Sequence, residues 1–431
     1  MALTGRAVLA SLLGLVPLAA WPTMTTVWWW WLVLLVVVGL DLALAVPTRA
    51  LAIERRPADQ VRLGEQTTTT LLVTNTAGRA FRGLLRDAWQ PSAGTVGDRH
   101  PIRLPGGERI RLSTTLRPTR RGDRRADLVT VRSLGPLGVA ARQSARPVPG
   151  AVRALPPFTS RKHLPSRLSR LRQLDGRSAV RTRGHGTEFD SLRDFVDGDD
   201  VRSIDWRATA RRRSMVVRTW QPERDRRIIL LLDTSRTSAA RVLDMPRLDA
   251  AMDAALLLAA LASRAGDRID LLAGDRRIRA KVSGSRDRTA LLHDLVSAMA
   301  PLDSALLEAN WVTLAGAVGR LSRRRALVVL LTSLEPAAVE EGLLPVLPAL
   351  TAHHRVVLAS VADPAVVGMA GDRSTSTAVY DAAAATRTVA LRRRTAAACE
   401  RLGVHVLDEP PDALPAALAD HYLALKSRGL L

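Results

Sequence analysis

The chain has 431 residues, of which 47% are hydrophobic and 24% are charged, so the composition predicts several packed domains and excludes a generally disordered chain. Cys399 is the single cysteine, which excludes an intrachain disulfide and a multi-cysteine zinc site within one copy of the chain. The formal net charge of +22 is scattered instead of forming a basic stripe, so we expect no nucleic-acid partner; an arginine-driven nucleic-acid binder is an alternative.

Two apolar segments predict a transmembrane hairpin within residues 1–48. The segment at residues 25–46 is long enough to cross a hydrocarbon core, which requires about 20 apolar residues. The segment at residues 7–21 is shorter and contains Gly14 and Pro17, so a cleaved signal peptide is the alternative for it. We expect two membrane-spanning helices joined by a short uncharged turn.

The residues that flank the second segment predict its orientation. Four tryptophans at residues 28–31 stand at one end, where indole rings favour the membrane interface, and Arg49, Arg55 and Arg56 follow the other end. Because flanking arginines are retained on the cytoplasmic side, we expect an inner-membrane protein that contacts lipid and has the bulk of its chain in the cytoplasm. We expect Asp41 near the cytoplasmic boundary, where water hydrates its carboxylate.

Two regions of different character follow the membrane segment. Residues 49–148 contain short runs of β-branched and apolar residues separated by Gly, Pro and Asn, which predicts a β-sandwich-like domain with an interaction or spacer role. Residues 149–183 are rich in Pro, Arg and Ser and predict a basic linker that contains a helix. One face of that helix is expected to carry Leu164, Leu168, Leu171 and Leu174.

Residues 226–431 predict an α/β domain. Short aliphatic runs, such as residues 227–233 and 355–361, alternate with segments of helical periodicity. Continuous apolar runs of this length are typical of strands that are buried on both faces of a parallel sheet. We therefore expect a doubly wound α/β fold that binds ligands at the carboxyl ends of its strands.

The first candidate site follows the first of these strands. Asp233, Ser235 and Thr237 place one carboxylate and two hydroxyls at a spacing of two residues. Hard divalent cations such as Mg²⁺ prefer oxygen ligands, so this loop predicts a cation site. The alternative is that Ser235 and Thr237 cap the loop or helix that follows.

This loop resembles the metal-ion-dependent adhesion site of von Willebrand factor A-like domains, whose first motif is Asp-x-Ser-x-Ser. Thr237 keeps the last hydroxyl of that motif, and Thr313 matches a threonine that the family places before a later helix. Ser333 stands where the family has an aspartate, which should weaken metal affinity unless Glu335 or a partner's acidic residue substitutes. The resemblance therefore implies a degenerate Mg²⁺ site. Its ligands would be Asp233, Ser235, Thr237 and Thr313.

A second motif, dense in acidic residues and arginine, lies within residues 184–225. It resembles the signature of the bacterial family called domain of unknown function 58, Gly-x-Gly-x-Glu-Phe-x-x-Leu-Arg-x-Tyr-x-x-Gly-Asp-Asp followed by Asp-Trp-x-x-x-Ala. Phe195 departs from this signature by lacking the tyrosine hydroxyl, and the resemblance extends over essentially the whole chain. The matching positions, which we interpret as a partner-binding or structural signature, are Gly184, Gly186, Glu188, Phe189, Leu192, Arg193, Gly198, Asp199, Asp200, Asp205, Trp206 and Ala210.

The resemblance implies a binding protein and not an enzyme. Members are similar to proteins encoded beside MoxR-type AAA+ ATPases, so we expect a membrane-anchored adaptor or scaffold for such an ATPase. The chain contains no ATP-binding loop of the type Gly-x-x-x-x-Gly-Lys-Ser/Thr, so ATP hydrolysis would be the partner's. The alternative is a metal-dependent hydrolase that uses the carboxylates of residues 188–205. A salt-bridged structural lid is a further interpretation of those carboxylates.

Overall fold

The computed structural model describes residues 2–181, 188–197, 199–212, 214–221, 226–284 and 287–431 of the chain. The chain divides into two compact units, Met1–Pro156 and Pro157–Leu431. Each unit contains its own cluster of buried hydrophobic side chains. The candidate cation loop lies in the second unit.

The first unit begins with three helices, of which only one is long and apolar enough to cross a membrane among the described residues. These helices are α1 (Gly5–Leu13), α2 (Leu15–Ala20) and α3 (Met24–Leu44). Helix α3 belongs to an apolar segment, Met24–Ala50, whose most apolar stretch of 18 residues has a mean hydropathy of 2.3. The prediction of two membrane-spanning helices is therefore wrong, and a single candidate span takes its place.

The short first segment is interrupted at Gly14, which lies between α1 and α2. A Cβ atom at Gly14 would lie 2.2 Å from Nε1 of Trp30, so the indole of α3 packs directly on the glycine backbone. At about 1.5 Å of rise per residue, the two short helices together extend about 24 Å, which is less than the roughly 30 Å of a hydrocarbon core. The short length of this segment therefore explains why it is not a candidate second span.

The rest of the first unit is a β-rich domain, as the sequence predicts. Its described strands form two sheets. The first has the order β1-β10-β9-β11-β3, with β5 beside β9 and β7 beside β5, and the second has the order β2-β4-β8-β6. The strands are β1 (Ala2–Leu3), β2 (Leu51–Arg56), β3 (Val61–Arg62), β4 (Thr67–Asn75), β5 (Phe81–Trp89), β6 (Thr95–Val96), β7 (Arg99–Leu104), β8 (Arg109–Leu116), β9 (Gly122–Leu134), β10 (Ala140–Arg146) and β11 (Ala151–Leu155).

The core of this domain lies between the two sheets. Leu71 and Val73 of β4 share one buried cluster with Phe81 and Leu85 of β5, and these strands belong to different sheets. Along β5, buried positions alternate with more exposed ones, because successive side chains of a strand point to opposite faces. The alternation buries one face of each sheet and leaves the other face to solvent.

The second unit combines one large sheet with helices and two short hairpins. Its strands are β12 (Glu188–Asp194), β13 (Val216–Gln221), β14 (Arg227–Asp233), β15 (Arg241–Val242), β16 (Met245–Pro246), β17 (Arg268–Gly274), β18 (Ile278–Val282), β19 (Leu327–Leu331), β20 (Arg355–Val361) and β21 (Val404–Glu409). Its helices are α4 (Leu164–Arg181), α5 (Trp206–Arg212), α6 (Arg247–Arg264), α7 (Arg288–Met299), α8 (Trp311–Leu321), α9 (Pro336–Ala338), α10 (Leu347–Thr351), α11 (Pro364–Gly371), α12 (Ser376–Arg401) and α13 (Leu414–Ser427).

The large sheet has the order β18-β17-β14-β19-β20-β21 and is mixed. Strand β18 pairs antiparallel with β17, whereas β17, β14, β19, β20 and β21 run parallel. Only residues 275–277 connect β17 to β18, and a parallel connection needs a crossover of a dozen residues or more. The prediction of an entirely parallel sheet is therefore wrong at this edge, where a tight hairpin forces the antiparallel pairing.

The candidate cation loop lies at the carboxyl ends of the central strands of the sheet. Residues Ile228 to Leu232 of β14 are at most 1% exposed, as expected for a strand covered on both faces. Leu232 pairs with Leu331 of the neighbouring parallel strand β19. The next residues, Asp233 at the end of β14 and Thr332 just after β19, therefore lie side by side.

Candidate functional site

Asp233, at the end of β14, is a buried carboxylate that accepts hydrogen bonds from three neighbours. The residue is 1% exposed. Its Oδ1 accepts from the backbone N–H of Ser235 at 2.8 Å, and its Oδ2 accepts from Oγ1 of Thr237 at 3.0 Å. Oγ1 of Thr332 also donates to Oδ2, at 2.7 Å. Three donors thus compensate for part of the loss of water around this carboxylate.

The loop after Asp233 holds the two predicted hydroxyls together. Oγ of Ser235 and Oγ1 of Thr237 lie 3.1 Å apart, and a short 3₁₀ helix over Arg236–Ser238 fixes the turn. Oγ of Ser238 donates to the backbone carbonyl of Asp233 at 2.8 Å, which ties the loop back onto the strand end. The structure therefore brings three of the four predicted ligands into one cluster.

A small cavity opens onto this cluster. Its volume is about 210 Å³. The polar side chains that line it belong to Asp233, Ser235, Arg236, Thr237, Glu308, Thr332, Ser333 and Glu341. Trp311 and Ala338 contribute to its apolar wall. The cavity is therefore mainly polar where it meets Asp233.

Two arginines contact residues that line the cavity. Arg236 forms an ion pair with Glu308, which also lines the cavity. Nη1 of Arg247 donates to Oγ of Ser333 at 3.1 Å and to the carbonyl of Thr237 at 2.9 Å. The guanidinium of Arg247 therefore hydrogen-bonds Ser333, the residue at the position where the adhesion-site pattern has an aspartate.

Burial raises the pKa of Asp233, and the hydrogen bonds from Thr332, Ser235 and Thr237 oppose that rise. A cation beside the carboxylate would favour its charged form and relieve the cost of burying it. The carboxylate and the nearby hydroxyls are hard oxygen donors of the kind that Mg²⁺ takes, so these residues fit a magnesium ion. Within the described residues, no group of three or more His, Cys, Asp or Glu side chains could hold a metal by itself. Such an ion would therefore need oxygen ligands from water or a partner.

Thr313 and Glu335 are not among the described residues that line the cavity. Thr313 lies in the first turn of α8, where its backbone N–H donates to Oδ1 of Asn310 at 3.0 Å. Sequence reasoning missed Thr332, whose hydroxyl contacts Asp233 directly. The pairing of two aliphatic runs in a parallel sheet was the available signal, because it places the residues after both runs next to each other.

The acidic signature segment forms a small hairpin in which carboxylates pair with arginines. Strand β12 pairs with β13, and Arg193 of β12 makes two hydrogen bonds to Asp199, of 2.7 and 2.5 Å. Asp205 accepts from Nε of Arg218 at 2.8 Å and from two backbone N–H groups at the start of α5. These contacts lower the pKa of Asp199, chiefly through Arg193, and that of Asp205, chiefly through the Ala208 N–H.

The remaining signature positions divide into two groups. Gly184, Gly186 and Gly198 lie outside the described residues, as do the side chains of Glu188 and Phe189. Asp200 accepts from the backbone N–H of Arg202 at 3.0 Å and begins a 3₁₀ helix.

Several apolar side chains of this segment face solvent. Trp206 is 64% exposed, and Val196 and Val201 are each 63% exposed. Met215 is 52% exposed. We call these four residues the signature surface. Exposed tryptophan and methionine side chains are enriched at protein interfaces, so these residues are a candidate interaction site.

Comparison with solved structures finds likenesses of low identity. BatB, a conserved hypothetical protein from Bacteroides thetaiotaomicron, is 13% identical, with a TM-score of 0.30; the match covers 46% of this chain and 98% of BatB. An aerotolerance-related membrane protein from Bacteroides fragilis is 10% identical over the same shares of the two chains, also with a TM-score of 0.30. A PapD-like domain of human CEP192 is 14% identical, covers 25% of this chain and 90% of that domain, and has a TM-score of 0.17. No curated protein matches the chain.

The match to a protein family covers a somewhat larger share of the chain. The family model described as "Protein of unknown function DUF58" matches residues 191–416, which is more than half of the 431 residues. The matched region includes Arg193, Asp199 and Asp205 of the signature, and Asp233 with its loop. The chain therefore belongs to the DUF58 family.

Proposed function

We propose that this chain is a membrane-anchored adaptor that faces the cytoplasm and binds a protein partner through the cavity at Asp233. Helix α3 would provide the anchor, since it is long and apolar enough to cross a membrane. The observation that carries the proposal is the buried Asp233 carboxylate, which is surrounded by hydroxyls and opens into a small polar cavity. The resemblance of this loop to a von Willebrand factor A-like adhesion site supports the same role.

The size of the cavity favours a partner's side chain over a free substrate. Its volume of about 210 Å³ is below the roughly 300–1,000 Å³ of typical small-molecule pockets. A single carboxylate side chain from another protein would fit a space of this size. The cavity therefore suits a docking contact better than a catalytic pocket.

Magnesium would supply the positive charge that joins the two carboxylates. Asp233, Ser235 and Thr237 would hold the ion, and the partner's carboxylate would replace the oxygen ligand missing at Ser333. The guanidinium of Arg247 hydrogen-bonds Ser333 and would repel a cation at this position. We therefore expect the chain alone to bind Mg²⁺ weakly. Affinity for the ion and affinity for the partner would then depend on each other.

The signature surface would provide a second contact with the partner. Tryptophan and methionine are enriched at protein interfaces, and Trp206 and Met215 are more than half exposed. The pairing of Arg193 with Asp199 and of Asp205 with Arg218 holds the hairpin that presents this surface. The same ion pairs weigh against the alternative hydrolase, because carboxylates engaged by arginines are poor metal ligands.

We propose a MoxR-type AAA+ ATPase as the partner, on the basis of the family resemblance. The chain has no ATP-binding loop of its own, so the ATPase would perform the hydrolysis. The adaptor would supply membrane attachment and the docking site.

A pull-down from extracts that contain the candidate ATPase tests this function. Full-length wild type, Asp233→Ala and Ser235→Ala would be compared in detergent, with Mg²⁺ and with a chelator. Co-purification of the ATPase that is lost on chelation and in both variants supports the proposal. Equal recovery under all conditions contradicts it and makes the loop a structural cap. Thermal unfolding of each variant distinguishes loss of binding from loss of folding.

A further inference from the structure

A larger cavity lies at the opposite edge of the sheet, where the parallel strands β20 and β21 begin. Its volume is about 780 Å³, within the usual range for small-molecule sites of roughly 300–1,000 Å³. It is bounded by the ends of α10 and α13. The polar side chains among its lining residues are Arg325, Thr351, His354, Arg355, His405, His421 and Arg428.

Three nitrogen atoms of this lining have no hydrogen-bond partner among the described residues. They are Nδ1 of His354, Nε of Arg355 and Nε2 of His421, and each is buried. His354 as a whole is only 6% exposed. A buried polar atom without a partner is costly, so these three atoms leave hydrogen-bonding capacity unsatisfied in residues that line the cavity.

The cavity also has a strongly positive character. Its described lining contains three arginines and three histidines and no acidic residue. The imidazoles of His405 and His421 are stacked, with their centroids 3.9 Å apart and an interplanar angle of 6°. Burial lowers the pKa of His421 to about 4, and the nearby His405, Arg355 and Arg428 contribute to that shift. The positive charge of the cavity therefore comes from Arg325, Arg355 and Arg428, and it favours an anion over a cation.

We propose that this cavity binds a phosphate group through Arg355, His354 and His421, with Arg428 at its rim. Guanidinium and imidazole N–H groups are strong donors to phosphate oxygens, and the side chains of Arg355, His354 and His421 all line the cavity. The phosphate belongs either to a small soluble ligand or to a lipid headgroup. The site lies at the amino ends of the strands, away from Asp233, and does not depend on the proposed adaptor function.

Titration calorimetry of the full-length protein in detergent tests the site, with inorganic phosphate and tripolyphosphate as probes and acetate as a carboxylate control. We expect the phosphate probes to bind and acetate not to bind. Arg355→Gln and Arg428→Gln should each raise the Kd for tripolyphosphate about tenfold. Arg387→Gln removes the same charge from an exposed position on α12, outside the cavity, and should leave Kd within about twofold.

Two further measurements identify the source of the phosphate and its location. Nanodiscs that contain phosphatidate, compared with phosphatidylcholine alone, detect a lipid headgroup if soluble phosphates fail to bind. Imidazole ¹⁵N shifts of His354 and His421 should change on binding. The proposal is overturned if neither soluble phosphates nor phosphatidate binds. It is also overturned if Arg355→Gln and Arg428→Gln bind as tightly as Arg387→Gln.

Discussion

The carboxylate of Asp41, near the end of α3, accepts a hydrogen bond from the backbone N–H of Val139 at 2.8 Å. The backbone N–H groups of Leu137 and Ala140 donate to the same carboxylate, also at 2.8 Å. Asp41 is 0% exposed, so it is not hydrated as the sequence had led us to expect. These hydrogen bonds join helix α3, the candidate membrane anchor, to the turn between β9 and β10 of the β-rich domain.

Replacement of Asp41 should destabilise the first unit. Asp41→Ala leaves three backbone donors without their acceptor, and we expect a loss of about 3 kcal/mol in the free energy of unfolding. Asp41→Asn keeps one acceptor oxygen and should cost less. Chemical unfolding of the full chain in detergent measures both, with the exposed Asp59→Ala as the control. Equal free energies of unfolding for Asp41→Ala and Asp59→Ala would show that the hydrogen bonds to Asp41 do not stabilise the fold.

Replacing one partner of a buried ion pair should also lower the free energy of unfolding of the β-rich domain. Arg55 and Asp87 have side chains 3% and 0% exposed and are joined by two hydrogen bonds of 2.6 and 3.0 Å. Asp87→Asn leaves the guanidinium buried without its counter-charge, so we expect a loss of about 3–5 kcal/mol. The more exposed pair Arg86–Asp98, joined at 2.8 Å, is the control, and Asp98→Asn should cost less than about 1 kcal/mol. Unfolding curves that show equal losses would contradict this account.

The sequence predicted the β-rich domain because its strands are short runs of β-branched and apolar residues separated by turn residues. It did not predict the role of Arg55, which counts as a flanking charge in the sequence but lies buried beside Asp87 in the fold. It also predicted a second span at residues 7–21, since hydropathy does not register the interruption at Gly14 that leaves two short helices. The role of Arg55 depends on a partner distant in sequence, whereas the missing span depends on helix length.

The stability of the second unit should depend on pH through His421. The pKa of His421 is lowered from 6.5 to about 4 in the folded chain, mainly by burial. Between those values the unfolded chain binds more protons, so stability is fully present above pH 6.5 and is lost as the pH falls towards 4. We expect a loss on the order of 2 kcal/mol, which His421→Gln should abolish. Unfolding of both proteins at several pH values measures it, and parallel pH profiles would contradict it.

Trp206 should contribute to partner binding without contributing to stability. Its side chain is 64% exposed, so Trp206→Ala should change the free energy of unfolding by less than about 0.5 kcal/mol. If the signature surface contacts the ATPase, the same variant should weaken binding about tenfold or more. Tyr380→Ala removes a 79% exposed aromatic from α12 and serves as the control. Unchanged affinity in Trp206→Ala would remove the signature surface from the interface.

Sequence spacing alone identified Asp233, Ser235 and Thr237 as one cluster, because a loop of five residues keeps them close. The contribution of Thr332 required the pairing of two strands nearly 100 residues apart, which no local pattern reveals. The position of Arg247 on Ser333 likewise follows from the packing of α6 and not from spacing. The sequence shows that Ser333 replaces the aspartate of the adhesion-site pattern, but it does not show that Arg247 hydrogen-bonds this serine.

The most direct test of the adaptor function is the affinity of the full-length protein for the purified ATPase, with Mg²⁺ and with a chelator. Ser235→Ala removes a hydroxyl that lines the cavity, whereas Ser427→Ala removes an exposed hydroxyl at the end of α13, outside the cavity. We predict that chelation or Ser235→Ala raises Kd about tenfold and that Ser427→Ala leaves it unchanged. Equal affinity for wild type and Ser235→Ala, with or without Mg²⁺, would contradict the metal-bridged contact.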